Sequence, residues 1–150
     1  TDDDLFVIVD DPSGTPVTKK ATINTFGAIR KLSTTTGINA KTVATTSLYT
    51  VPTGYSLIVN HAIFRVTAFT SGGKTIHTTA SIGSNSPSFD NQYSTYTYTF
   101  TDINKNILNI DPTASEFPIH AAASVLTLNI TTGSNATTET WAVDLFGYLV

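Results

Sequence analysis

Residues 49–70, Y-T-V-P-T-G-Y-S-L-I-V-N-H-A-I-F-R-V-T-A-F-T, constrain this chain more than any other stretch. Pro52-Thr53-Gly54 is a turn signal, because Pro presets its own φ and Gly tolerates the positive φ that many turns need. The run that follows, up to Thr70, holds neither Pro nor Gly and is dominated by β-branched and aromatic side chains, which favours one long strand over a helix. Strict alternation would set Ile58, Asn60, Ala62, Phe64, Val66 and Ala68 on one face, and Leu57, Val59, His61, Ile63, Arg65, Thr67 and Phe69 on the other. Both faces are largely apolar. Such a strand belongs in a packed sheet, covered on one side by a second sheet and on the other by something else, such as a neighbouring subunit.

The rest of the chain reads as strands and turns. Leu5, Phe6, Val7, Ile8 and Val9 form an apolar strand closed by a turn cluster over 10–16, and 17–23 return, giving a hairpin-like unit. Residues 24–32 suit a short helical turn, with Ile23, Phe26 and Ile29 at three-residue spacing. Ser33-Thr34-Thr35-Thr36-Gly37 has linker composition, so the expected division is an arm with its linker over 1–36 and a main domain over 37–150. Short strands are expected over 38–45 and 47–51. The glycine turn Ser71-Gly72-Gly73-Lys74 suits a hairpin, with 75–83 returning beside the long strand.

Residues 84–92 read as an exposed loop, and 93–100 alternate strictly, with Tyr96, Tyr98 and Phe100 opposed to Thr95, Thr97 and Thr99. A short strand at 107–110, a longer loop from Asp111 to Pro118 and a strand over 121–131 follow. The closing W-A-V-D-L-F-G-Y-L-V must bury its apolar side chains and is expected at the centre of a sheet. About eight antiparallel strands outside the arm match an all-β jelly-roll sandwich.

Composition narrows the function classes. Charged residues make up 13% of the chain, about half the usual share, and about one residue in five is Thr. Thr suits the solvent side of strands and offers hydroxyls across an interface. A net charge of -3 with scattered basic residues gives no footprint for nucleic acid. Without Cys there is no disulfide framework, thiolate metal site or thiol nucleophile. No stretch has the apolar length of a membrane span, so no membrane insertion is expected. Met is absent even at position 1, which points to a trimmed chain or a longer product.

Candidate chemistry is sparse. His61, His77 and His120 stand at no metal-binding spacing, and no G-x-S-x-G elbow is present. Asp2, Asp3, Asp4, Asp10 and Asp11 cluster in the arm without calcium-loop spacing and read as solvated turn residues. No catalytic residue, metal or cofactor is expected. Asn129-Ile130-Thr131 and Asn135-Ala136-Thr137 match the glycosylation sequon, a pattern with a high chance rate in so Thr-rich a chain. The aromatic rings of Tyr93, Tyr96 and Tyr98 with Phe89 fit either a sugar platform or a core and subunit interface.

Two groups of segments carry a resemblance. D-D-L-F-V-I-V-D-D-P-S-G-T-P-V-T-K-K-A-T-I-N-T-F, residues 3–26, resembles a short segment of tailed-phage virion proteins that stands ahead of a variable β-domain. Y-T-V-P-T-G-Y-S-L-I-V, 49–59, and V-D-L-F-G-Y-L-V, 143–150, are similar to the first and last strand signatures of small phage jelly-roll domains. Such domains commonly assemble as trimers of the tumour-necrosis-factor or C1q type. The matches span about a third of the chain and include no catalytic motif.

The resemblance implies a structural protein of the virion. One form is a decoration (cement) protein on the outer capsid, docked on the major capsid protein through Leu5 to Val9. The other is a head- or tail-fibre adhesin module joined to a fibre component and binding a host glycan through the loops 84–92 and 111–117, with Phe89, Asn91 and Tyr93 as contacts. In either form the expected homotrimer would use Leu57, Val59, Ile63, Phe69, Tyr96 and Tyr98 at its subunit interface.

Overall fold

The long strand forms as β5, Leu57–Thr70, and it departs from strict alternation in two places. In this computed structural model, which describes residues 5–9, 18–22, 29–103, 105–109 and 118–150, β5 lies between two partners in a five-stranded sheet. For 5–9, 18–22, Leu108 and Asn109 the backbone alone is described. The other strands in chain order are β1 (Leu5–Val9), β2 (Thr18–Thr22), β3 (Arg30–Asn39), β4 (Ala44–Thr50), β6 (Thr78–Gly83), β7 (Tyr93–Tyr98), β8 (Asn106–Asn109), β9 (Ile119–His120), β10 (Val125–Thr132) and β11 (Thr138–Leu149).

Two antiparallel sheets pack face to face as a β-sandwich, one ordered β3-β11-β5-β8 with β9 also on β5, the other β4-β10-β6-β7. The pairings β3 with β11, β4 with β10, β5 with β8 and β9, and β6 with β7 are nested in sequence, each inside the last. The main body is therefore one long antiparallel ribbon doubled back at the β6–β7 loop and wound so that successive strand pairs alternate between the sheets. β11 is central, between β3 and β5, as its largely apolar closing sequence requires. β1 and β2 pair antiparallel, Leu5 opposite Thr22 and Val9 opposite Thr18, as a two-stranded sheet of their own.

The phase of β5 is set by bulges. His61 pairs with Phe146 but Val59 pairs with Gly147, so Asn60 is an extra residue, and Thr67 is another between Val66 and Ala68. Each insertion turns the following side chains to the opposite face. Leu57 and Val59 consequently point into the core together with Ala62, Phe64 and Val66, two groups that strict alternation puts on opposite faces. Gly147 stands opposite the first bulge, where a Cβ would meet the Ile58 carbonyl oxygen.

The core forms between the sheets around Trp141 of β11. Tyr98 meets it edge-to-face at 5.2 Å, Phe100 at 5.4 Å and Phe64 at 5.8 Å, so one indole joins β5 and β11 to the edge strand of the other sheet. Leu48, Ile82, Leu126, Leu128, Ile130, Val143 and Leu145 fill the remaining layer. Each such buried aliphatic side chain is worth about 1.5–3 kcal/mol against exposure.

Three expectations from sequence are corrected. Residues 33–37 are not a linker: they lie within β3, paired to β11 from Ile38 opposite Trp141 to Arg30 opposite Gly147, so the division at 36/37 cuts a sheet strand. The Thr run favours β structure as readily as a linker, and its single Gly is absorbed as a bulge at φ +72°. The Gly72-Gly73 turn makes no hairpin. Lys74 N–H closes it on the Ser71 carbonyl at 3.0 Å, and the chain crosses to the second sheet, where β6 pairs with β7 and β10. The helical turn expected over 24–32 is met from Arg30 onward by β3, and 23–28 lie outside the described residues.

Gly37 offers a clean test of the β3 bulge, because among the described residues, its two chain neighbours aside, no atom lies within 4 Å of where its Cβ would be. Gly37→Ala adds only the strain of positive φ, about 1–2 kcal/mol. Its urea midpoint is expected to fall at unchanged slope, with Gly37→Asn recovering part of the loss.

Candidate functional site

The region richest in polar side-chain geometry lies where the β6–β7 loop meets β9. β6 ends at Gly83, where a Cβ would meet Asn91 Oδ1 and the Phe89 main chain, so the loop can fold back tightly only from a glycine. Asn85 braces the loop from inside: its Oδ1 accepts from Asp90 N–H at 2.9 Å and Asn91 N–H at 3.1 Å, and its Nδ2 donates to Asp90 Oδ1 at 2.7 Å. The Ser88 carbonyl fastens the tip to the four-stranded sheet, accepting from Ser81 Oγ at 3.3 Å and Asn129 Nδ2 at 3.1 Å. Ser86, Pro87 and Ser88 are left exposed.

His120 of β9 joins this loop to the other sheet. Its Nε2 lies 2.9 Å from Gln92 Oε1, and Nδ1 lies 2.9 Å from Ser84 Oγ. An amide oxygen can only accept, so Nε2 carries the proton and Nδ1 accepts from the Ser84 hydroxyl. Ser84 Oγ in turn accepts from Asn91 Nδ2 at 3.3 Å, while Asn91 Oδ1 holds Ser84 N–H at 2.7 Å. The ring is 2% exposed, and burial holds His120 below the ordinary histidine value. Burial likewise pushes the Tyr93 phenol up, only partly opposed by the neighbouring Gln92 amide. Gln92 Nε2 and the Tyr93 hydroxyl are buried side by side, and among the described residues neither has any further polar partner.

A serine, a base and an orienting amide in contact form the outline of an activated nucleophile. Here the serine oxygen is already engaged by Asn91 and the base sits in the protein interior. Chemically, the arrangement holds a proton position and ties two sheets together. Nothing in the sequence announces it, since Ser84 and Gln92 stand 36 and 28 residues from His120.

A second buried cluster is structural. Lys74 Nζ donates to Glu139 Oε2 at 2.7 Å and to the Phe100 carbonyl at 3.1 Å, and lies 5.3 Å from the Phe69 ring centre. Glu139 Oε1 accepts from Trp141 Nε1 at 3.0 Å. On the outer face of the five-stranded sheet, Asp144 accepts from Arg65 at 2.8 Å and from Thr34 at 2.6 Å, beside the stacked rings of His61 and Phe146 at 4.4 Å. Burial acts to raise the Asp144 carboxyl, but the hydrogen bonds from Arg65 and Thr34 and the charges of Arg65 and Lys31 outweigh it and hold it below the usual range. Among the described residues no group of three or more His, Cys, Asp or Glu could hold a metal ion.

The expected site residues are dispersed. Leu57, Val59 and Tyr98, expected at a subunit interface, are core residues of a single chain, the first two because of the Asn60 bulge. Phe69 packs on the margin of the same core. Ile63, opposite Asp144, is half-buried on the outer face of one sheet, and Tyr96 is 51% exposed at the edge of the other, so these two do not form one patch. Of the glycan contacts, Tyr93 is buried and both ends of the Asn91 amide are turned inward to Ser84; Phe89 is half-buried at φ +49°. The side chains of Leu5 to Val9 and the loop 111–117 lie outside the described residues. Asn129 and Asn135 both spend their amides within the fold, Asn135 on Thr75 and Ile76.

Compared with protein-family models, with curated proteins and with solved structures, the chain matches none.

Glu139 is fully buried, and its only cationic partner among the described residues is Lys74. Lys74→Met is expected to cost about 3–5 kcal/mol by stranding that carboxylate. Lys74→Met with Glu139→Gln, which keeps an acceptor for Trp141, should recover most of the loss in a denaturation cycle.

Proposed function

We propose that this chain is a structural protein of a tailed-phage virion, a decoration (cement) protein that binds and stabilises the outer capsid surface, with a jelly-roll body. The observation that carries the reading is the β1–β2 hairpin, a two-stranded sheet separate from both sheets of the sandwich. Two strands alone are marginal in water, so an L-F-V-I-V strand in such a unit is suited to gaining stability from a partner. It can do so by adding to a sheet edge through main-chain hydrogen bonds while alternate side chains fill pockets. The nested pairing of the body supports the jelly-roll reading, since winding a doubled ribbon produces that strand order. The resemblance of 3–26, 49–59 and 143–150 to phage virion segments supports the same assignment, which gives the chain no catalytic role.

The test uses the full chain and capsids of the parent virion. Phe6→Asp with Ile8→Asp should abolish attachment, because each puts a charge into a pocket built for apolar groups at a cost of several kcal/mol, while the body stays folded. Imaging of virions should place the protein on the head. A specific, saturable ligand in a glycan screen on the same double variant, with protein on the tail, would favour the fibre or adhesin form instead.

A homotrimer is proposed as the assembled form, seated on surfaces that include Ile63 and Tyr96. Sedimentation of the intact chain at micromolar concentration should give three chains per particle, and a well-behaved monomer would remove the trimer from the proposal.

A further inference from the structure

We infer that His120 is a pH-operated latch that holds the 84–92 loop closed against β9, and that acidification releases the loop while the sandwich stays folded. The inference is independent of the virion reading and stands on the hydrogen-bond inventory around one ring. The closed arrangement needs a neutral imidazole: Nδ1 is the acceptor for the Ser84 hydroxyl, and Nε2–H the donor to Gln92. The surroundings are rich in donors. Asn91 Nδ2 already donates to Ser84 Oγ, and Gln92 Nε2 is a further buried donor, with only the Tyr93 hydroxyl as its polar neighbour among the described residues. A proton added at Nδ1 makes Ser84 Oγ accept from two donors and leaves its own hydroxyl hydrogen without an acceptor. It also creates a cation in a site that is 2% exposed.

Among the described residues, the groups that face the ring offer no compensation. The loop brings Ser84, Asn91 and Gln92, and its carboxylate Asp90 is engaged by Asn85 Nδ2. Tyr93, at the start of β7, remains a neutral phenol throughout the acid range, since burial raises it further. β5 brings Leu57 and Ile58, which pair with β9 and do not titrate. Nearer this level, Tyr148 of β11 stands opposite Ile58 and His61 of β5 is stacked on Phe146 of the outer face; the charged pair Arg65–Asp144 lies well along the strands, opposite Ala142 and Ile63, and is closed on itself. Asp111 and Glu116, ahead of β9 in sequence, lie outside the described residues.

The sign follows from burial, which holds the ring below 6.5 in the closed state. Above 6.5 both states are neutral and the latch is insensitive to pH. Between 6.5 and the lower value of the closed state, the open state takes up a proton that the closed state refuses. The open-to-closed ratio then rises by up to about tenfold per pH unit and levels off below it. Opening frees Ser84 and Gln92 at one end of the sandwich, whereas the far end keeps the Lys74–Glu139 pair that ties the Gly72-Gly73 turn to β11.

The chain has no Cys and one Trp, which makes the experiment direct. Ser88→Cys, at an exposed position that bonds to Ser81 and Asn129 through its main-chain carbonyl, carries a fluorescent label whose anisotropy reports loop mobility, while Trp141 emission reports the core. Expected on titration from pH 8 to 4.5 is a fall in anisotropy with its midpoint below 6.5, before any change in Trp141 emission, at the pH where the His120 ring titrates by NMR. His120→Gln should give a flat anisotropy profile. Should that variant misfold, Ser84→Ala serves instead: without the donor that favours neutral Nδ1, the midpoint moves up toward 6.5. An invariant wild-type profile, a transition that survives in His120→Gln, a midpoint unmoved in Ser84→Ala, or loop and Trp141 signals that move together would each overturn the latch.

Discussion

The indole N–H of Trp141 must find an acceptor in a place that water does not reach, and much of the sandwich follows from how that demand is met. The acceptor is Glu139, two residues earlier on the same strand, and a fully buried carboxylate needs a counter-charge. Lys74 supplies it, and can reach Glu139 only because the chain turns at Gly72 and Gly73, both at positive φ. The first of these glycines lies against Thr137, where a Cβ would collide with the side chain. One hydrogen-bond requirement in the core thereby fixes the turn that ends β5, the crossing to the second sheet and the end of β7, whose Phe100 carbonyl shares the Lys74 ammonium.

That dependence explains which parts of the molecule were legible in the sequence. β5 and β11 were readable as long buried strands, because apolar density and the lack of breakers are local properties. Alternation put Tyr98 and Phe100 on one face, but it grouped Tyr96 with them and left Tyr98 to a subunit interface, whereas Tyr98 is core and Tyr96 is exposed. What strict alternation misplaced was the phase of β5, since Asn60 and Thr67 look like ordinary strand residues and become bulges only through pairing with β11. The linker at 33–37 failed for a similar reason. A Thr run followed by Gly satisfies the composition of a linker and of a bulged edge strand equally, and the partner decides. The His120 site left no trace, because its geometry depends on the nesting of pairings that brings β9 to the β6–β7 loop.

The distribution of bulges also bears on how such a body could assemble. A free sheet edge invites the addition of further strands, and proteins that avoid it bend, charge or interrupt their edge strands. Here β3 carries two bulges against β11 and begins with Arg30 and Lys31, β4 has an extra residue at Leu48, and β7 has one between Tyr93 and Tyr96. The fourth edge is divided into the short strands β8 and β9. Edge-to-edge growth of the sandwich is thus discouraged on all four sides. A symmetric assembly of this body would have to rely on its faces and loops, and an anchor to any second protein through strand addition would have to come from outside the sandwich. The β1–β2 hairpin would meet that requirement: the edges of the body are bulged or interrupted, and among the described residues β1 and β2 pair with neither of its sheets.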